Sequence, residues 1–189
     1  MSPLRIHTIP ERWYSDTIWG KPVVADDTLF EIMSLQVFQA GLGWKLILNK
    51  REGFRNAFHN WSIPAVARFG PNEEERLLSD PAIIRNRLKI RATVYNARQI
   101  LEIQQLHGSF THWFYDVLEG NNYPALQREL GSLFKFMGPE LCRMWLMAVG
   151  RITISEGDSY RPSGTPSYAG QLLWPDSPDS HIRAAIPNK

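Results

Sequence analysis

The stretch Leu35–Trp44 constrains the fold of this chain more than any other. Leading into it, Leu29, Ile32, Met33, Leu35 and Phe38 recur at helical intervals. Gly41 and Gly43 then interrupt the pattern and let the backbone turn and approach a neighbour closely. Within the helix, Phe38 lies about 200° around the axis from Gln36, whereas Gln39 lies within about 60° of it. One side is therefore expected to enter a core while the two amides share another. Trp44 follows immediately. Two amides, a glycine loop and an indole suit a planar, polar ring such as a nucleobase.

The rest of the chain reads as further short helices. Residues 1–25, with prolines at 3, 10 and 22, read as irregular around Trp13-Tyr14 and Trp19-Gly20. Thr28 and Glu31 suit a capping box. A second helix is expected from Trp44 to about His59 and a short turn over 64–69. Asn72 can cap residues 73–78, and Asp80-Pro81 can open another short helix. Residues 85 to about 106 read as one long helix, with Ile90, Val94, Ala97, Leu101 and Leu106 on one side. Ser109 or Thr111 can cap a helix reaching Leu118, and Asn122-Tyr123-Pro124 opens one more. The best strand candidates, Val23-Val24 and 151–155, are both short. The expectation is an all-α bundle of many short helices over 1–157. An irregular tail follows over 158–189, with five prolines and many serines.

Length and composition bound the function. A chain of 189 residues, 43% of them hydrophobic, suits one domain with an appendage. A net charge of +2 permits anionic partners without demanding them. The single cysteine, Cys142, excludes a disulfide within the chain and favours a reducing compartment. It falls in an apolar helix and reads as a small core residue. No run has signal-peptide or membrane-span character, so a cytoplasmic protein without membrane contact is expected. The five histidines are dispersed and none pairs with Cys142 at a metal spacing. Neither a glycine-rich nucleotide loop nor a nucleophile elbow is present.

Two further features concern nucleic acid. Leu133-Phe134-Lys135-Phe136-Met137-Gly138-Pro139 reads as a tight turn between helices, with Pro139 at the first position of the second. Free N–H groups at such a helix start can hold a phosphate. An ordinary helix–helix turn explains the same residues. Arg85, Arg87, Lys89, Arg91 and Arg98 form a basic cluster, either part of a phosphate track or a solvated helix face.

At these residues the chain resembles the 3-methyladenine DNA glycosylase I family, within the helix-hairpin-helix DNA glycosylases. The resemblance covers about residues 12–150. It rests on Tyr14-Ser15-Asp16 with Trp19-Gly20-Lys21-Pro22-Val23, on Leu29-Phe30-Glu31, and on Phe38 to Trp44. Further landmarks are residues 50–55, Ile84 to Ile90, Asn96-Ala97-Arg98 and Phe134 to Pro139. The resemblance implies an enzyme that flips an alkylated adenine out of double-stranded DNA and hydrolyses its N-glycosidic bond, releasing 3-methyladenine. It assigns the chemistry to Gln36, Tyr14 and Trp44, with Trp13, Trp19 and Gln39 as further walls of the base pocket. Leu42 matches the residue that fills the gap in the duplex, and Gly43 flanks it. Lys135, Phe136 and Gly138 would meet the phosphate backbone. A monomer without cofactor is expected.

The chain departs from the family in two ways. Gln36 stands where the family has a glutamate, so hydrogen bonding survives but the negative charge is lost. A non-catalytic DNA-damage or nucleobase-binding protein is the alternative this raises. The family also ties its termini with a zinc ion held by two cysteines and two histidines. Here Ser15, Ser155 and Ser159 stand at or near three of those positions, so no metal is expected.

Overall fold

The structure, a computed structural model, describes residues 9–120 and 122–163. They form eleven α-helices, and none of the described residues is in a β-strand. The first six are α1 (Ile9–Thr17), α2 (Asp26–Gln39), α3 (Trp44–Asn49), α4 (Arg51–Ala57), α5 (Ile63–Ala67) and α6 (Pro71–Ser79). Then come α7 (Arg87–His107), α8 (Phe110–His112), α9 (Tyr123–Leu133), α10 (Pro139–Ala148) and α11 (Ile154–Ser159).

Local chemistry sets several boundaries. The Asn86 side chain caps α7 by accepting from Lys89 N at 3.1 Å, and Gly108, at φ 85°, ends it. Ser109 caps α8, which continues as a π-turn over Trp113–Val117. Asn122 caps α9 at 3.1 Å, and Pro139 opens α10 from a Gly138 cap.

Helix α2 threads the centre of the molecule, with every residue from Leu29 to Phe38 buried. It packs on α3, α5, α7 and α10. Asp26, at its start, braces the far side. Its carboxylate accepts from Phe110 N and Thr111 N, both at 2.8 Å, from Thr111 Oγ1 at 2.9 Å, and from Gln104 Nε2 at 2.6 Å. An aromatic layer of Phe38, Phe54, Phe58 and Trp61 fills the space beside α2. Trp61 stacks on Phe58 at 4.8 Å and 6°, which helps offset the left-handed backbone of His59, Asn60 and Trp61.

Several local expectations are corrected. Part of the segment read as irregular, Ile9–Thr17, is helical. The Thr28–Glu31 capping box does not form, because α2 begins three residues earlier, capped at Ala25, and the Glu31 carboxylate is taken by arginines. The helix expected from Trp44 to His59 breaks at Lys50 into two, and Gly70 rather than Asn72 caps α6. Asp80-Pro81 makes a turn, and residues 154–159, partly read as strand, are helical because Thr153 caps them. Cys142 is buried among apolar neighbours, which pushes its thiol up to about 12. The tail from residue 164 onward lies outside the described residues.

Candidate active site

Helices α1, α2 and α3 meet in an aromatic cluster. The Tyr14 ring, from α1, sits 4.8 Å from the Trp44 ring of α3 in an edge-on arrangement at 62°. Trp19 lies 6.0 Å from Tyr14, and Trp13 lies 6.3 Å from it on the same helix. The Gln36 side-chain amide faces the Tyr14 hydroxyl. Burial pushes the Tyr14 phenol well above the ordinary tyrosine range, and the nearby Gln36 amide offsets only part of that rise. Tyr14 therefore stays a neutral hydroxyl at any working pH.

Placement of the two amides differs from the sequence expectation. Because α2 is buried on all sides, Gln36 does not line a polar face: it is a buried amide, 3% exposed, against Tyr14. Gln39 sits half-buried at the helix end, where its backbone carbonyl accepts from Leu42 N. The Trp44 Nε1–H is buried with no acceptor among the described residues. The core residues Trp61 and Trp145 share that property, so it does not by itself mark a ligand.

Trp13 is held from the other side. The Arg51 guanidinium lies 3.4 Å from its ring centroid and also grips the buried Glu31 carboxylate through Nε at 2.7 Å and Nη2 at 3.2 Å. One face of Trp13 is thus covered by a cation. The segment after α1 docks through Gly20 N on Ala148 O at 2.9 Å. Nearby, Tyr115 accepts from Val23 N at 2.9 Å and donates to Val149 O at 2.7 Å. These contacts hold α1 where the resemblance would place a zinc tie. The serines do not fit that metal: Ser15 donates to Arg12 O and Asp16 Oδ1, and Ser159 to Glu156 O. Among the described residues no group of three or more histidines, cysteines or acids could hold a metal ion.

Leu42 stands at the tip of the loop between α2 and α3 and is 38% exposed. Gly41 turns the chain at φ 78°, a conformation that favours glycine. Gly43 does not share that reason, since its φ of −74° suits any residue and a Cβ there would meet nothing within 4 Å. Gly138 is alike, at φ −66° in open space. No internal neighbour demands glycine at either position.

The hairpin between α9 and α10 buries Phe134 and Met137 and exposes Lys135, Phe136 and Gly138. Phe136 adopts φ 59° at the tip, a conformation that costs a non-glycine residue about 1–2 kcal/mol, and is still 39% exposed. The Lys135 ammonium rests 5.0 Å from the Tyr95 ring centroid. A cleft of about 860 Å³ borders this hairpin between α6 and α7, lined in part by Leu88, Tyr95, Lys135 and Phe136. It does not include Tyr14, Gln36 or Trp44.

A sequence model for the family described as methyladenine glycosylase matches residues 9–133. The chain belongs to that family. DNA-3-methyladenine glycosylase 1 of Escherichia coli (strain K12) is 33% identical over 159 residues, covering 74% of this chain and 84% of the relative. A crystal structure of a 3-methyladenine DNA glycosylase I superposes with a TM-score of 0.69 at 31% identity, covering 78% of this chain and 91% of that one. Another solved structure is a tyrosine-to-phenylalanine mutant of such an enzyme in complex with 3-methyladenine. It has a TM-score of 0.68 at 26% identity and covers 85% and 92% of the two chains. The all-α glycosylase fold expected from the sequence is the fold of this family. The matched segment stops at Leu133, just before the hairpin.

The basic cluster does not form one track. Arg87 pairs with Glu74 and Glu75, Arg91 with Glu74, and Arg98 donates to Ala67 O and Phe69 O, both at 2.9 Å. Lys89 is turned inward, with Nζ donating to Phe38 O at 2.8 Å and Ala40 O at 2.6 Å. Asn96, in the sequence only a landmark of the family resemblance, holds the hairpin. Its side chain accepts from Lys135 N at 2.8 Å and donates to Lys135 O at 3.1 Å.

Proposed function

We propose that this chain is a DNA glycosylase that excises 3-methyladenine from double-stranded DNA. Family membership supports the reaction class. The observation that carries the site is the joining of Tyr14, Gln36 and Trp44 into one cluster beside the exposed Leu42 loop. Leu42 enters the duplex where the damaged nucleotide leaves, and the hairpin at 134–138 holds the phosphate backbone. Tyr14 and Gln36 are 1% and 3% exposed, so the base reaches them once a half-buried Trp19 or Trp44 ring moves aside.

Methylation at N3 makes the base cationic and already a good leaving group. The bond between C1′ and the base breaks with its electron pair moving onto the ring, which thereby loses its positive charge. Water adds to C1′ and releases a proton to solvent. Trp44 presents an electron-rich face to the cation, an attraction of about 0.5–2 kcal/mol. The Gln36 amide meets the base edge. Tyr14 is neutral and Gln36 uncharged, so neither removes a proton from water, and the activated leaving group carries the reaction. Glu156 and Asp158 are engaged elsewhere, Glu156 accepting from Tyr123 N at 2.9 Å and Asp158 lying 3.8 Å from Arg143. No helix among the described residues is long and apolar enough to cross a membrane.

The test is release of free base from DNA treated with a methylating agent, read by chromatography. Release of 3-methyladenine is expected. DNA binding without release at high protein concentration would instead mark a binding protein.

A further inference from the structure

Resting on that reading, we propose that α7 sets the spacing between the two DNA-contacting loops, with Lys89 and Asn96 as its positioning residues. They stand seven residues apart, which on a helix is about 10.5 Å along the axis and about 20° short of two full turns. They therefore share one face. Each holds a different loop by its backbone rather than by a side chain. Lys89 is 6% exposed and spends two ammonium protons on Phe38 O and Ala40 O, the last carbonyls before the Leu42 loop. A cation at that end also opposes the negative pole of α2. Asn96 is 1% exposed and uses both ends of its amide on the N–H and C=O of Lys135 in the hairpin.

Between them Thr93 donates to Lys89 O at 2.9 Å within the helix, and Ile90 and Ala92 are buried, so the connecting turns are rigid and packed. The arrangement matters because insertion of Leu42 and capture of phosphates must occur together on one kinked duplex. An error of about 1 Å in their separation is enough to cost a large factor in rate. Neither side chain is placed to touch the flipped base. Their effect passes through the two loops.

Helix capping alone would predict only lost stability when either residue is changed. Positioning predicts a split by substrate. An oligonucleotide methylated at its single adenine is annealed to its complement, or to a complement with an abasic site opposite that adenine. The second substrate needs far less help to extrude the base. Lys89→Met is expected to lower single-turnover excision about tenfold on the paired duplex and less than about threefold on the other. Asn96→Ala is expected to weaken binding of undamaged duplex about fivefold while leaving binding of free 3-methyladenine unchanged.

Equal losses of Lys89→Met on the two substrates, or undiminished duplex affinity in Asn96→Ala, would overturn the proposal. If either variant does not fold, Lys89→Gln and Asn96→Asp are measured in the same way and carry the same expectations. Wild-type protein that releases no base from either substrate would defeat the glycosylase reading alone. In that case 2-aminopurine opposite the methylated adenine still reports insertion of Leu42. Lys89→Met must then reduce that signal, and an unchanged signal overturns the proposal.

Discussion

The Gln36 side-chain amide faces the Tyr14 hydroxyl in the closed interior between α1 and α2, with 3% and 1% of the two residues exposed. A neutral amide therefore occupies the place nearest the expected base edge. Gln36→Glu would put a carboxylate there, able to accept from the Tyr14 hydroxyl and to attract a cationic base. Excision of 3-methyladenine is expected to rise about tenfold, equivalent to ~1.4 kcal/mol. Burial would raise the pKa of the new carboxyl, so the gain should grow as pH rises through that value. Single-turnover rates from pH 5 to 8 measure this, and a rate that falls in the variant would show that charge at this position is not used.

Tyr14→Phe isolates the other half of the pair. The ring keeps its place beside Trp44, but the buried Gln36 amide loses a partner. Leaving a buried polar group unsatisfied costs about 1–3 kcal/mol. Urea denaturation should show a loss of that order, and titration of free 3-methyladenine should show weaker binding. Unchanged stability with unchanged binding would mean that the hydroxyl does not order the amide.

How much of this was legible in the sequence follows from the range of each interaction. The helical periodicity of residues 29–38, the Ser109 and Asn122 caps, and the turn at 134–138 are local, and each formed where the residues indicated. Gln36 and Trp44 stood out locally as an amide and an indole beside a glycine loop, but Tyr14 joined them only through the family motifs, because no local rule brings α1 to α2 and α3. Glu31 shows why capping signals mislead: the motif is local, but Arg51 and Arg55, about twenty residues on, supply a stronger partner. Lys89 was grouped with neighbouring arginines by charge alone. Only the fold turns it toward Phe38 and Ala40, while Arg87 and Arg91 face α6.

Gly43 and Gly138 test whether the glycines serve the fold or a ligand. Both lie in conformations open to alanine, and both have free space where a Cβ would go. Both precede helices, where alanine caps less well than glycine. Gly43→Ala and Gly138→Ala should each change stability by no more than about 1 kcal/mol. Duplex affinity should nonetheless fall several-fold, because a methyl group intervenes between backbone and DNA. Thermal unfolding and fluorescence anisotropy separate the two effects. Affinity that stays at the wild-type level would remove the argument for close backbone approach at these two points.

Asp26 predicts how the fold itself responds to pH. Burial alone would raise its carboxyl, but hydrogen bonds from Gln104, from the Phe110 and Thr111 backbone and from the Thr111 hydroxyl outweigh it and hold the carboxyl below the usual aspartate range. A depressed folded-state value means that the unfolded chain binds the proton first. The stabilisation is therefore complete above the unfolded value of about 3.9 and is lost as pH falls from there through the folded value. Asp26→Asn keeps one acceptor oxygen and cannot serve both sides of the brace. It should cost about 1–2 kcal/mol at pH 7. The gap between wild type and variant should narrow steadily below about pH 4. Urea unfolding of both proteins at pH 7, 5 and 3 measures it. A gap of the same size at pH 3 and pH 7 would mean that the shape of the brace, rather than its ionised carboxylate, holds α2 against α8.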